Sequence, residues 1–127
     1  MRKAATLIAV VVAISVFALC DAMAQDEVMI KVSPNNLAIS SMGTKVTIHS
    51  NIPAGSVNVS TLELRIDGGE PLYPIATFAD DRGNLVAKFN MNDAKGMVSV
   101  GQATFTMTGD YFAGGDFSAS DVIKITK

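Results

Sequence analysis

The sequence predicts an all-β fold, an antiparallel sandwich of about seven short strands. Three observations predict it. Apolar and polar residues alternate with period two through most of the chain after residue 27. Clusters of Gly, Pro, Asn and Asp interrupt that alternation at short intervals. Helical periodicity is missing outside one short stretch.

The strands follow in order. Val28, Ile30 and Val32 alternate with Met29, Lys31 and Ser33, and Val46 and Ile48 alternate with Lys45, Thr47 and His49. Leu62, Leu64 and Ile66 alternate with Glu63, Arg65 and Asp67 in the clearest run. Leu85, Ala87, Phe89 and Met91 face one way while Lys88 and Asn90 face the other. Ala103, Phe105 and Met107 alternate with three threonines, and Ile123 and Ile125 with Val122 and Lys124. One apolar and one polar face per strand suits two sheets packed on their inner faces. Reversals are expected at Ser33–Asn36, Asn51–Gly55, Asp67–Pro71, Asp80–Asn84 and Gly109–Gly115. Asn92–Lys95 reads as a single helical turn capped by Asn92 or Asp93 and ended by Gly96.

The first 24 residues read as an export signal. Arg2 and Lys3 precede an apolar stretch from Ala4 to Leu19, and Ala22-Met23-Ala24 supplies small residues for cleavage between Ala24 and Gln25. Two alternatives stay open. One is an uncleaved anchor, for which a 16-residue core is slightly short of a span. The other is acylation of Cys20, because Phe17-Ala18-Leu19-Cys20 resembles a lipobox, although Leu19 stands where a small residue belongs. A lipid on Cys20 would tether the chain to a membrane; without it no membrane association is expected. Cleavage after Ala24 leaves 103 of the 127 residues, enough for one domain over 25–127.

That domain is compositionally ordinary. The overall hydrophobic fraction of 49% is inflated by the leader, where nineteen of 24 residues are apolar. The formal charge is −2, with no basic cluster, so nucleic acid is not an expected partner. Cys20 is the only cysteine, which leaves residues 25–127 without disulfide or thiol chemistry.

Four strings carry a family resemblance: Ile30-Lys31-Val32-Ser33-Pro34-Asn35-Asn36-Leu37, Val57-Asn58-Val59-Ser60-Thr61-Leu62-Glu63-Leu64, Gly83-Asn84-Leu85-Val86-Ala87-Lys88-Phe89, and the ending Thr108-Gly109 through Ser120-Asp121-Val122-Ile123-Lys124-Ile125. Together they resemble the small bacterial Ig-like modules of exported and cell-surface proteins. The resemblance implies an Ig-like sandwich with a structural or binding role and supplies no catalytic residue. The chain departs from antibody domains in having no Trp and no Cys beyond Cys20.

Few residues suit chemistry. His49 is the only histidine and falls on a polar strand face, without a nucleophile motif to serve. Gly96-Met97-Val98-Ser99-Val100-Gly101 has one residue too many before its serine for a nucleophile elbow. Asp80, Asp81 and Asn84 are the best candidates for a calcium site, against a plain Asx-type turn, and Arg82 sits among them. Met29, Met42, Met91, Met97 and Met107 are scattered rather than spaced for copper. Tyr111 and Phe112, in a glycine-flanked loop, are the candidate interaction residues, unless one folds back over the core. Tyr73, between Pro71 and Pro74, poses the same question more weakly. Asn58-Val59-Ser60 fits the glycosylation acceptor pattern, a signal common by chance.

The expectation is therefore an exported, non-enzymatic interaction or structural module, periplasmic or secreted, without cofactors. Its partner would be a protein or a surface polymer. The alternative is a periplasmic carrier of a small ligand or of a calcium or copper ion.

Overall fold

The computed structural model describes residues 27–127. The leader, Cys20 and the cleavage point between Ala24 and Gln25 lie outside the described residues. Eight strands form two four-stranded sheets. They are β1 (Ile30–Ser33), β2 (Asn36–Ala38), β3 (Lys45–Pro53), β4 (Val57–Ile66), β5 (Ala76–Ala79), β6 (Asn84–Asn90), β7 (Gly101–Tyr111) and β8 (Asp116–Thr126). One sheet has the order β1-β3-β6-β5, the other β2-β8-β7-β4. With β1 and β2 taken as two halves of one strand that changes sheets, this is the seven-stranded immunoglobulin arrangement of a constant-type domain.

The inner faces are those the alternation marks. Val46 and Ile48 of β3 and Leu85, Ala87 and Phe89 of β6 are buried. Across from them lie Leu62, Leu64 and Ile66 of β4, Ala103, Phe105 and Met107 of β7, and Phe117, Ala119, Ile123 and Ile125 of β8. Phe89 and Phe105 are the largest fully buried side chains. Val86, on the outer face between His49 and Phe78, is also fully buried, shielded by its cross-strand neighbours rather than by the core.

Several expectations need correction. Ser33–Asn36 does not reverse the chain. It carries the chain across to the second sheet without a change of direction, so β2 pairs parallel with β8 in a fold otherwise antiparallel. β3 runs on to Pro53, and a 3-10 turn at Ala54–Ser56 makes the corner into β4. β7 continues through Gly109 to Tyr111, which confines the reversal to Phe112–Gly115. The helical turn is α1 (Met91–Lys95), and its cap is Asn90 rather than Asn92 or Asp93. Asn90 Oδ1 accepts from the backbone N–H groups of Asn92 and Asp93 at 2.8 and 3.2 Å, donors that a first turn leaves without intrahelical partners.

β4 also breaks its own alternation. Val57 and Leu62 both face inward although an odd number of steps separates them, and the register against β7 shifts between Asn58 and Glu63. The Asn58-Val59-Ser60 triplet builds that bulge. Asn58 Oδ1 accepts from the Ser60 N–H at 3.2 Å and from the Ser60 hydroxyl at 2.7 Å. Thr61 Oγ1 donates to the Asn58 carbonyl and accepts from the Asp110 N–H, replacing ladder bonds that the bulge removes.

Side chains of the two strands flanking β7 in its own sheet crowd over Gly109. A Cβ there would lie 2.9 Å from Leu62 Cδ2 and 2.9 Å from Phe117 Cε2. Gly109→Ala is therefore an overpacking change and should cost about 1–3 kcal/mol. Phe105→Ala empties the middle of β7 and should cost about 3–5 kcal/mol. Urea unfolding of both variants checks the order; a larger loss for Gly109→Ala would contradict this packing.

Candidate functional site

The β7–β8 hairpin separates the two aromatics that the sequence places together. Tyr111 lies against Phe117, with ring centroids 5.5 Å apart and planes at 48°, and is partly buried at the end of the core. Phe112 points away and keeps 70% of its surface exposed. Tyr111 thus packs partly against the sandwich, while Phe112 presents most of its ring to solvent. The reason is positional: Tyr111 ends a strand whose side chains still meet the sandwich, while Phe112 begins the turn.

The turn is held on both sides. The Tyr111 N–H donates to the Gly115 carbonyl and the Gly114 N–H to the Tyr111 carbonyl, at 3.0 and 3.1 Å. Gly114 and Gly115 take φ of 106° and 81°, a region that side-chain-bearing residues rarely enter. The Phe112 N–H donates to Ser56 at 3.0 Å, tying the tip to the 3-10 corner. Phe112 is therefore presented on a braced loop.

Below the tip, the outer face of the second sheet turns acidic. Asp110 and Asp116 stand opposite each other where β7 and β8 meet the turn. With Thr61, Glu63 and Ser118 they border an open depression of about 470 Å³. Glu63 is paired with Arg65 at 2.9 Å. Farther along, the face carries hydroxyls, among them Thr106 and Ser120 in contact at 2.8 Å.

The Asp80–Asn84 segment is the β5–β6 turn. Asp80 Oδ1 accepts from the N–H groups of Arg82 and Asn84 at 2.8 and 3.0 Å, and the Gly83 N–H donates to the Asp80 carbonyl. The carboxylate that would lead a calcium site is thus bonded to its own loop. Asp81 points into solvent, and among the described residues no three His, Cys, Asp or Glu side chains group as a metal centre. The Asn84 N–H, and after it the N–H and charge of Arg82, hold the Asp80 carboxyl below its ordinary range.

His49 is exposed on the outer face of the first sheet, between Lys31 and Val86. Ser99 lies in the exposed loop after α1 and is no strand-to-helix elbow. Met91 and Met107 are core residues, Met97 is partly buried, and Met29 and Met42 are exposed and do not converge with them. Tyr73 is 61% exposed, because its neighbour Leu72 is the residue that docks on β4, exchanging backbone bonds with Leu64 at 2.7 and 2.9 Å. Among the described residues no helix is long and apolar enough to cross a membrane.

Fold and surface together define a two-sheet β-sandwich with one braced aromatic tip above an acidic face. No protein-family model matches the chain. A search of curated proteins gives no significant match either.

The turn generates two expectations. Gly83 has φ of 82°, so Gly83→Ala forces a side chain into the left-handed region and should cost about 1–2 kcal/mol, read from the urea midpoint. Asp80 binds its proton less readily folded than unfolded, so its stabilising effect is present above the ordinary aspartate range and fades as pH falls through the folded value. The melting-temperature gap between wild type and Asp80→Asn should hold steady above the ordinary aspartate range and close as pH falls below it. A gap that widens in acid would reverse this assignment.

Proposed function

We propose that this protein is an exported, non-enzymatic interaction module that binds a protein or surface polymer through the β7–β8 tip. The observation that carries the reading is Phe112: a large apolar side chain, 70% exposed, on a loop braced at both Tyr111 and Ser56. An ordered aromatic pays little conformational entropy on contact, which is why rigid aromatic tips make efficient anchors. Asp110 and Asp116 beside it favour a partner with basic groups around an apolar recess.

Export rests on the leader and its small-residue cleavage site at Ala24 and Gln25. The likeness to bacterial Ig-like modules rests on the four strings quoted above, and the immunoglobulin strand order supports it. A metal or small-ligand carrier is the weaker reading, because Asp80 is engaged by its own turn.

The test is native electrophoresis of gentle envelope and culture-fluid extracts, wild type beside Phe112→Ala. Wild type should migrate in an assembly much larger than the free chain, and Phe112→Ala should shift toward the free form. Raising salt from about 50 to about 500 mM should weaken the wild-type assembly, since an exposed acidic rim is screened. Wild-type protein running only as free chain, with heat on titration of Ca²⁺ or Cu⁺, would replace this reading with the carrier.

A further inference from the structure

The strand edges of the two sheets are unequally protected. On β1, the outward Val32 N–H is already bonded to Asp121 Oδ2 at 2.9 Å. β2 is only three residues long. β8, upstream of its pairing with β2 at Lys124, carries Asp116 and Asp121. β4 is bulged between Asn58 and Glu63, and Leu72 occupies its outer edge at Leu64. Short length, charge, bulges and covering segments are the devices that keep sheet edges from pairing with other chains.

β5 is short, four residues, and irregular at its start, where Ile75 donates to Lys88 beside Ala76, but along Ile75–Ala79 it carries no charged residue. It pairs with β6 on one side only. The Asp80 N–H donates to Asn84 on the β6 side, so counting back by twos turns Phe78 and Ala76 toward β6 and leaves Thr77 and Ala79 with both backbone groups facing outward. Phe78 is 47% exposed on the outer face, with the Lys88 ammonium 5.8 Å from its ring centre. Tyr73 and Ile75 extend the apolar surface along the same edge.

We propose that β5 pairs with β5 of a second copy of this chain, antiparallel about a two-fold axis, joining the two first sheets into one continuous sheet. The register follows from the outward groups. Thr77 would exchange backbone bonds with the partner copy's Ala79, and Ala79 with its Thr77. That places Phe78 against Phe78 across the axis, in a non-hydrogen-bonded pair where side chains are closest.

A second copy fits this edge for two reasons. The first is charge. Asp80 of one copy falls opposite Ala76 of the other, with Lys88 on the next strand beyond Ala76, so no like charges face each other. The second is area. Taking about 200 Å² for a buried aromatic, the exposed parts of Tyr73 and Phe78 alone offer about 200 Å² per copy. Ile75 and the strand backbones add to this, which keeps the contact below standard interface size and makes the expected dimer a weak, transient one.

The experiment is sedimentation velocity of the purified full-length protein from about 1 to about 500 µM, the range in which a weak interface dissociates. The result expected is a concentration-dependent monomer–dimer equilibrium. Ala79→Pro removes an outward N–H without touching the β5–β6 ladder, and Phe78→Glu sets like charges across the axis; each should raise the dimer Kd about tenfold or more. Phe112→Ala should leave it unchanged, which separates this interface from the tip. Circular dichroism reports folding of each variant. In a Cys20→Ser background, Phe78→Cys should form an intermolecular disulfide under mild oxidation, because non-hydrogen-bonded partners stand close enough for one. A monomer across the whole range, or a dimer indifferent to both β5 substitutions, would overturn the proposal.

Discussion

The shared interior between the two sheets, where Phe89 of β6 and Phe105 of β7 are wholly buried, is the constraint on which the rest of the molecule depends. No disulfide joins the sheets among the described residues, where no cysteine occurs, so apolar packing carries the contact between them, with the Val32–Asp121 hydrogen bond at one margin. Side chains interdigitated at crystal-like density tolerate neither gaps nor additions. Gly109 shows how full that layer is, since Leu62 and Phe117, from the strands on either side of it, already fill the space a methyl group would take. The irregularities elsewhere serve the same layer. The β4 bulge returns Leu62, Leu64 and Ile66 to the interior, and the corner at Ala54–Ser56 lets β3 run its full length before the chain crosses to the other sheet.

Alternation made most of this readable in the sequence, because a half-buried strand shows its environment at every second residue. β3, β6, β7 and the second half of β4 were legible for that reason. The first crossing was not. Ser33-Pro34-Asn35-Asn36 has the composition of a turn, and whether such a segment reverses the chain or hands it to another sheet is decided by partners far away in sequence. β5 escaped too. Thr77 and Ala79 lie on its core side and only Thr77 is even partly buried, so Ala76–Ala79 shows no apolar face to read. The flanking Pro74 and the Asp80–Asn84 turn were the available signal: a turn followed by β6 implies a strand before it. Of the candidate contact residues, the loop was legible and the division within it was not. Sequence alone does not reveal that β7 ends at Tyr111, and that endpoint decides which aromatic packs and which is shown.

A surface of this kind separates two tasks. Strand faces and packing fix a rigid frame, while the tip and the open edge lie where substitution costs the core nothing. Phe112 contributes little to the buried layer, and Phe78 covers Val86 on the outer face rather than filling the interior. Large apolar side chains at such positions gain the molecule little stability, which makes them the places to look for contact with something else.

The crossing between β1 and β2 also fixes the polarity of the molecule. Glu27 and Met29 are bonded to Asn51, near Pro53 and the 3-10 corner that touches Phe112. Thr126 pairs beside Ala38 at the far end of β8. At about 3.4 Å per residue, the eleven residues of β8 separate these poles by roughly 35 Å. The aromatic tip therefore shares a pole with the point where the chain enters the sandwich. A tether on the N-terminal side would hold Phe112 toward whatever it is anchored in, whereas a label fused after Lys127 would stand at the opposite end, clear of the tip.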